Sequence, residues 1–375
     1  MIYLDNHATT PPDPLVLEAM RPALEGEGFG NPSSTHGVGV AARRLLESAR
    51  AEVARICPAP DTRVVFTSGA TEANALAVLG RAPRGTLDRI VVSAIEHPSV
   101  MDCARELMAR GCSLEIVSPD SQGIVSADDV LDAVEGRTAL VAVMLVNNEV
   151  GTVQPSIEIA RRVRRKFPQC HVHVDATQAV GMVDITGLED AHSVALSAHK
   201  IYGPKGVGAL VYREKSAPRP LWFGGGQEGG IRSGTQNVAG AVGLGRAVSI
   251  ALTGWAETAA RMAALRDELV REILGAVAGT SLVGHPERRS PANALIGVEG
   301  VTGDAIAGSL EARGVVVSTG SACHAGRAQQ SGVLAAMKVP RSMGVVRFGL
   351  SRNTTRGDIA TAATAFVESV AALRS

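Results

Sequence analysis

"TRVVFTSGATEANALAVLG", residues 62–80, decides how this chain folds. Residues 63–67 are β-prone and apolar, Gly69 interrupts them, and a helix-forming run starts at Ala70. A strand, a glycine turn and a helix in succession form the unit of a parallel sheet, because parallel strands need a crossover between them. The alternation continues outward. Strand-like runs fall at 89–93, 114–117, 139–146, 171–175, 193–197 and 207–212, with helix-like runs such as "AARRLLESARAEVARI" (41–56) and "SIEIARRVRRKF" (156–167) between strands. The expected fold class is α/β, a mostly parallel seven-stranded sheet covered on both faces. From about 256, "AETAARMAALRDELVREILGAV" reads as a long helix opening a smaller α+β unit, and a final helix is expected at roughly 356–373. The expected division is a large domain over 14–255 and a small domain made of 1–13 and 256–375.

The same stretch writes a phosphate site. Gly69, Ala70 and Thr71 would present backbone N–H groups at the positive end of the helix, and Thr71 adds a hydroxyl. An ordinary capped helix start, organised by Thr71 with Glu72 or Asn74, is the plainer reading of these residues. Further on, "CHVHVDATQAVG" (170–181) is a β-rich run ending on Asp175, at the strand end where open α/β sheets place ligands. Asp175 could hold a pyridinium nitrogen protonated, and Gln178 could reach a ring oxygen; alternatively Asp175 caps a helix. "HSVALSAHKIYGPKG" (192–206) ends an apolar run on Lys200, one of five lysines among thirty-two arginines. A lysine can lose its proton and attack a carbonyl carbon, which arginine cannot. Phosphate, ring nitrogen and aldehyde together describe pyridoxal 5'-phosphate (PLP).

Composition limits the alternatives. Among 375 residues, 45% are hydrophobic and the mean hydropathy is +0.13, as expected of a globular protein with a large core. The formal net charge is zero, which favours neither nucleic acid nor membrane, and "RRVRRK" is the solvated face of its helix. With 3% aromatic residues, no stacking surface for single strands is expected. The opening "MIYLDNHATTPP" has neither a basic region nor an apolar core, so neither a signal peptide nor a membrane segment is expected, and a cytoplasmic protein is. Five cysteines (57, 103, 112, 170 and 323) are odd in number and lack CxxC spacing, so neither a disulfide framework nor a metal site is expected. Cys323 stands apart. It follows "VVVSTGSA" and precedes His324 and Arg327, a setting that favours an exposed thiolate.

"YLDNHATT" (3–10), "GNPSSTHGVG" (30–39), "TSGATEAN" (67–74), "EHPSV" (96–100), "NNEVGTVQP" (147–155), "HVDATQAVG" (173–181), "SAHKIYGPKGVG" (197–208), "GGGQEGGIRSGTQN" (224–237) and "STGSACHAG" (318–326) occur in this order. Together they resemble the class V PLP enzymes of the cysteine desulfurase group, the NifS/IscS-like proteins, from residue 3 to about 360. The resemblance implies the fold-type I transferase architecture and a homodimer with shared active sites. It implies Lys200 as the residue bound to PLP and mover of the Cα proton, Asp175 at the ring nitrogen, and Gln178 at the phenolic oxygen. It implies His97 stacked on the ring and active in proton transfer, where capping of its own turn is the plainer role. Ala70, Thr71, Ser197 and His199 would hold the phosphate, and Thr235 the phosphate of the other subunit. Asn148 would lie beside substrate and cofactor. Arg347 would bind the substrate carboxylate, with Arg352 the competing candidate.

The implied reaction converts L-cysteine to L-alanine, leaves a persulfide on Cys323 and passes the sulfur to an acceptor protein. The loop at 320–332 is expected to be mobile, since glycines flank Cys323 and polar residues follow. Departures from the pattern concern the acceptor. The segment from Cys323 to Arg347 is short and lacks Glu-Pro-Ser after the cysteine, Lys338 stands where glycine is common, and Gly229 where arginine is common. "SACHAG" also resembles selenocysteine lyases. A class V enzyme without persulfide chemistry and a non-catalytic PLP-binding platform are the other readings. The destination of the sulfur (iron–sulfur clusters, tRNA thiolation, cofactor synthesis or DNA phosphorothioation) is not written in the sequence.

Overall fold

A computed structural model describes residues 1–81, 88–319 and 330–375. The chain opens on β1 (Ile2–Tyr3), followed by α1 (Pro14–Leu24) and α2 (Gly37–Ala54). Asp13 starts α1 by accepting from Leu15 N, and Pro14 supplies a preset φ where no N–H is needed. An alternating series follows: β2 (Thr62–Thr67), α3 (Ala70–Leu79), β3 (Arg89–Ser93), α4 (Pro98–Ala109), β4 (Ser113–Val117), α5 (Ala127–Ala133), β5 (Thr138–Ala142), α6 (Ser156–Lys166), β6 (His171–Asp175), β7 (Ser193–Ser197) and β8 (Gly208–Arg213). Two long helices, α7 (Val238–Leu252) and α8 (Trp255–Ala276), lead to β9 (Thr280–Val283), β10 (Asn293–Glu299), α9 (Gly303–Ala312), β11 (Val315–Val316), α10 (Gly332–Ala336), β12 (Met343–Gly349) and α11 (Arg356–Arg374). A capping box, Thr355 with Asp358, starts the last helix.

The seven-stranded sheet has the order β2-β8-β7-β6-β5-β3-β4, and only β8 runs against its neighbours. This is the mostly parallel α/β sheet expected from the sequence. Apart from the edge strand β4, its strands are largely buried on both faces and so read as apolar runs rather than alternating ones. One strand is shorter than its apolar run. The strand expected over 139–146 ends at Ala142, because the backbone of Met144 leaves the ladder: its N–H donates to Glu96 and its carbonyl accepts from Ser156 Oγ.

The main core lies on this sheet, where Val91, Val141, Val172 and Val194 meet Leu46, Val163 and Leu244 of the covering helices. A second core gathers Leu4, Met262, Leu269, Ile296, Phe348 and Phe366 around a three-stranded antiparallel sheet, β12-β10-β9. β1 pairs with β11, so the N-terminus is tied to the C-terminal part of the chain. Residues 7–10 continue from there to the end of β7, where Thr10 N and Oγ1 both donate to the carbonyl of His199. No single helix among the described residues is long and apolar enough to cross a membrane.

Candidate active site

Asp175 and Ser197 end β6 and β7, and α3 begins just beyond β2, so all three meet at the C-terminal edge of the sheet. A cavity of about 500 Å³ opens there. Ala70, Thr71, His97, Asn148 and Asp175 line it, as do Gln178, Ser197, His199, Lys200 and Arg347. Arg352, the competitor of Arg347, is elsewhere: it pairs with Asp13 and lies over the Tyr202 ring at 4.0 Å. Thr235 also lies off the cavity, in a shallow pocket with Phe29 and Asn31. Cys323 and most of the 320–332 loop fall outside the described residues, and the expectation of mobility with them.

Lys200 ends a short turn after β7, and its Nζ donates to the carbonyls of His7 (2.6 Å) and Ala8 (2.8 Å). The amine is thus held by the segment "DNHATT", which Gln178 also reaches by donating to His7 O at 3.0 Å. His97 does two things at once. Its Nδ1 caps α4 by accepting from Ser99 N at 3.1 Å, and the ring faces the cavity. The cap puts the ring proton on Nε2, and burial, helped by the Lys200 charge and opposed by that of Asp175, lowers its pKa and favours the neutral form. Burial, reinforced by Lys200 and Lys205, brings His199 down to about 4.

Arg347 lies in β12 and is almost fully buried. Its Nη2 pairs with Asp5 at 2.7 Å and its Nη1 donates to Asn148 O at 2.8 Å. Gly349, two residues on, is required by close approach: a Cβ there would stand 2.7 Å from His7 Nδ1. Gly208 has the same role at the start of β8, where a Cβ would stand 2.6 Å from the Gly69 backbone.

Asp175 is held by a buried chain of hydrogen bonds. Its Oδ1 accepts from Thr177 N (2.9 Å) and its Oδ2 from Asn74 Nδ2 (2.7 Å). A carboxylate only accepts, so the Asn74 amide must turn its Oδ1 to His173 Nε2 (2.9 Å), which therefore bears the proton. His173 Nδ1 then accepts from Ser193 Oγ (2.9 Å), and Ser193 Oγ accepts from His171 Nε2 (2.8 Å). Both histidines are neutral by burial; His173 is brought to about 4 despite the Asp175 charge, and His171 falls well below its ordinary value. His171, His173 and Asp175 alternate along β6 and share one face.

The residues fit PLP. α3 starts at Gly69 with no side-chain cap, leaving its first N–H groups toward the cavity for a phosphate. The Asp175 carboxylate faces the same space, and the buried Thr177 Oγ1 has no partner there. The sequence reading missed His7, Asn74 and Ser99. The signal for Asn74 was its place in "TSGATEAN"; nothing local marks His7, whose carbonyl meets a lysine 193 residues away. The four described cysteines are free thiols. Burial raises all four, Cys103 to about 11 and Cys170 to about 12, which fits packing rather than chemistry.

The sequence pattern of the Aminotransferase class-V family matches residues 2–361. The chain is 38% identical to "Cysteine desulfurase IscS 1" of Archaeoglobus fulgidus, over 96% of this chain and 94% of that protein. It is 40% identical to "Cysteine desulfurase" of Bradyrhizobium diazoefficiens, over 100% of this chain and 95% of that protein. Among solved structures, a "NifS-like protein" superposes with a TM-score of 0.92 at 34% identity, covering 99% of this chain and 100% of that one. DndA from Streptomyces lividans gives 0.78 at 34% identity, covering 92% and 99%.

Proposed function

The chain belongs to the class V aminotransferase family, and on that premise we propose that it is a PLP-dependent cysteine desulfurase, converting L-cysteine to L-alanine with sulfur carried as a persulfide on Cys323. The observation that carries this reading is the convergence of the Lys200 amine, the Asp175 carboxylate and the Arg347 guanidinium on one cavity at the edge of the sheet. Bound PLP would supply an electron sink for the charge left when the substrate Cα loses its proton. The uncapped start of α3, with Ser197 and His199, would hold its phosphate. Asp175 would hold the ring nitrogen, Gln178 the ring oxygen, and His97 the ring face. Lys200 would bind the aldehyde carbon and later take the Cα proton. Arg347, already oriented by Asp5 and Asn148, would grip the substrate carboxylate. The Cys323 thiolate attacks the substrate sulfur. The S–S bond forms as Cβ–S breaks, the bonding pair stays with the carbon skeleton, and protonation there completes alanine.

A homodimer fits the surface. Leu24, Phe29 and Phe223 are large apolar residues left exposed, and Thr235 lies beside Phe29 rather than in its own chain's cavity. In the dimer Thr235 would reach the partner's phosphate. The sulfur would go to an acceptor protein, and a persulfide that must be handed on suits a reducing, cytoplasmic setting.

Alanine formation from L-cysteine and from L-selenocysteine, measured for the wild type and Cys323→Ala with a reductant present, tests the reading. The expected result is alanine from cysteine with the wild type and a loss of about 10²-fold or more in the variant. A variant that fails only on cysteine, with selenocysteine the faster substrate of the wild type, would replace it by a selenocysteine lyase. No alanine from either substrate would remove desulfurase chemistry altogether.

A further inference from the structure

β6 has two ends. Asp175 marks one, and His171, at the other, closes a second cavity of about 330 Å³ at the opposite edge of the sheet. At roughly 3.3 Å per residue the two ends lie about 13 Å apart. The walls of this second cavity are strongly basic. Arg81 follows α3, Arg164 comes from the last turn of α6, Arg213 ends β8, and Lys215 lies just beyond. The acids nearby do not balance them. Asp61 pairs with Arg213. Asp190 is shared, at 2.9 Å from Arg161 and 3.8 Å from Arg164. Arg81 is half-buried beside Arg219, which repels it, and it makes no hydrogen bond or ion pair among the described residues.

Two buried polar atoms here have no partner: Arg213 Nε and His171 Nδ1. Their chemistry is fixed. Arg213 Nε is a donor. His171 Nε2 donates to Ser193 in the chain that begins at Asp175, so His171 Nδ1 presents a lone pair. His192, its ring tilted against that of His171 at 5.3 Å between centroids, accepts from Val172 N on its Nδ1, so its Nε2 bears a proton. Arg81 without an acidic partner, imidazole and guanidinium N–H donors, the Asp61 carboxylate already paired with Arg213, and the His171 Nδ1 lone pair thus line one space. An anion alone would satisfy the donors and leave His171 Nδ1 orphaned. A ligand that brings negative charge together with an O–H satisfies both.

We propose that this cavity binds a small oxyanion carrying a hydroxyl, such as hydrogen phosphate or a phosphate monoester of a polyol. The pairing of His171 with Ser193 sets the preference for a protonated oxyanion over a fully ionised one.

Inorganic phosphate and inorganic sulfate, titrated calorimetrically into the PLP-loaded protein at neutral pH and constant ionic strength, provide the test. The loaded form is used so that the cofactor's own phosphate fills the start of α3. Phosphate should bind saturably, once per chain, and about tenfold more weakly to Arg81→Gln or Arg164→Gln. Sulfate, which has no O–H at this pH, should bind about tenfold more weakly than phosphate to the unaltered protein. His171→Phe should abolish that difference. If this variant does not fold, the comparison of the two anions on the wild type stands by itself. Heats that do not saturate, or an unchanged affinity in both arginine variants, would overturn the site. Equal affinities for the two anions in the wild type would overturn the hydroxyl requirement.

Discussion

Arg347 reaches the cavity with two of its bonds already made, to the Asp5 carboxylate and to the Asn148 carbonyl. Those bonds fix the plane of the guanidinium, and a lysine could not make both while facing a substrate carboxylate. Arg347→Lys should therefore raise KM for L-cysteine about 10–100-fold and change kcat by less than about threefold, as steady-state kinetics would show. A fall confined to kcat would mean that Arg347 does not hold the carboxylate. Ser193 is the most exposed to test among the positioning residues, because it joins the two histidines behind Asp175. Ser193→Ala would leave the His171 Nε2–H and the His173 Nδ1 lone pair buried without partners. The cost should be about 2–4 kcal/mol in urea unfolding, and an unchanged midpoint would break the hydrogen-bond chain as drawn. At this scale the sequence was legible where a side chain in a marked setting lines the cavity. Lys200 after a strand and Asp175 at a strand end are such cases. It was silent where a backbone carbonyl does the work, as at His7 and Ala8, since a carbonyl is present at every position.

The inner strands of the large sheet were readable because they are short apolar runs closed by turn residues and buried on both faces. The same property blurred the end of β5, since the apolar run continues to Val146 after the ladder has stopped at Ala142. Two departures from the family pattern acquire a local explanation. Gly229 has φ +65° with open space around it, so glycine suits that backbone. Lys338, just past α10, has φ +58° and its side chain is exposed. A lysine there meets the left-handed conformation against its preference, at a cost of about 1 kcal/mol. Lys338→Gly should recover part of that, raising the thermal midpoint by about 1–2 °C with no effect on cofactor binding. A lower midpoint would show that the lysine gains more from the unfolded chain's lost entropy than it suffers from strain.

For the whole molecule, the buried titratable groups set a pH optimum of stability. Burial is the first cause of low values at His173, His192 and His199, each brought to about 4, and at His7 and His171, which lie well below the ordinary 6.5. Between about 4 and 6.5 the unfolded chain therefore binds more protons than the folded one, and stability rises with pH through that window and is lost as the pH falls. Glu96 acts in the opposite sense. Burial pushes its carboxyl up to about 8, the Asp175 charge adds to this, and hydrogen bonds from Ser93 and the Met144 N–H only partly offset it. The folded chain keeps that proton from 4.5 up to 8 while the unfolded chain has released it, so this contribution is present at low pH and declines as pH rises. Below 6.5 several histidines outweigh one carboxyl. Above 6.5 they no longer titrate, and Glu96 is left to lower stability by about 2 kcal/mol as the pH approaches 8. Thermal midpoints measured across pH 4–8.5 should therefore peak at about 6–6.5. Glu96→Gln keeps a neutral polar group in the same place, so it should flatten the alkaline limb and leave the acid limb intact. An alkaline limb unchanged in this variant would mean that Glu96 ionises in the folded state without penalty, against its buried position beside the Asp175 carboxylate.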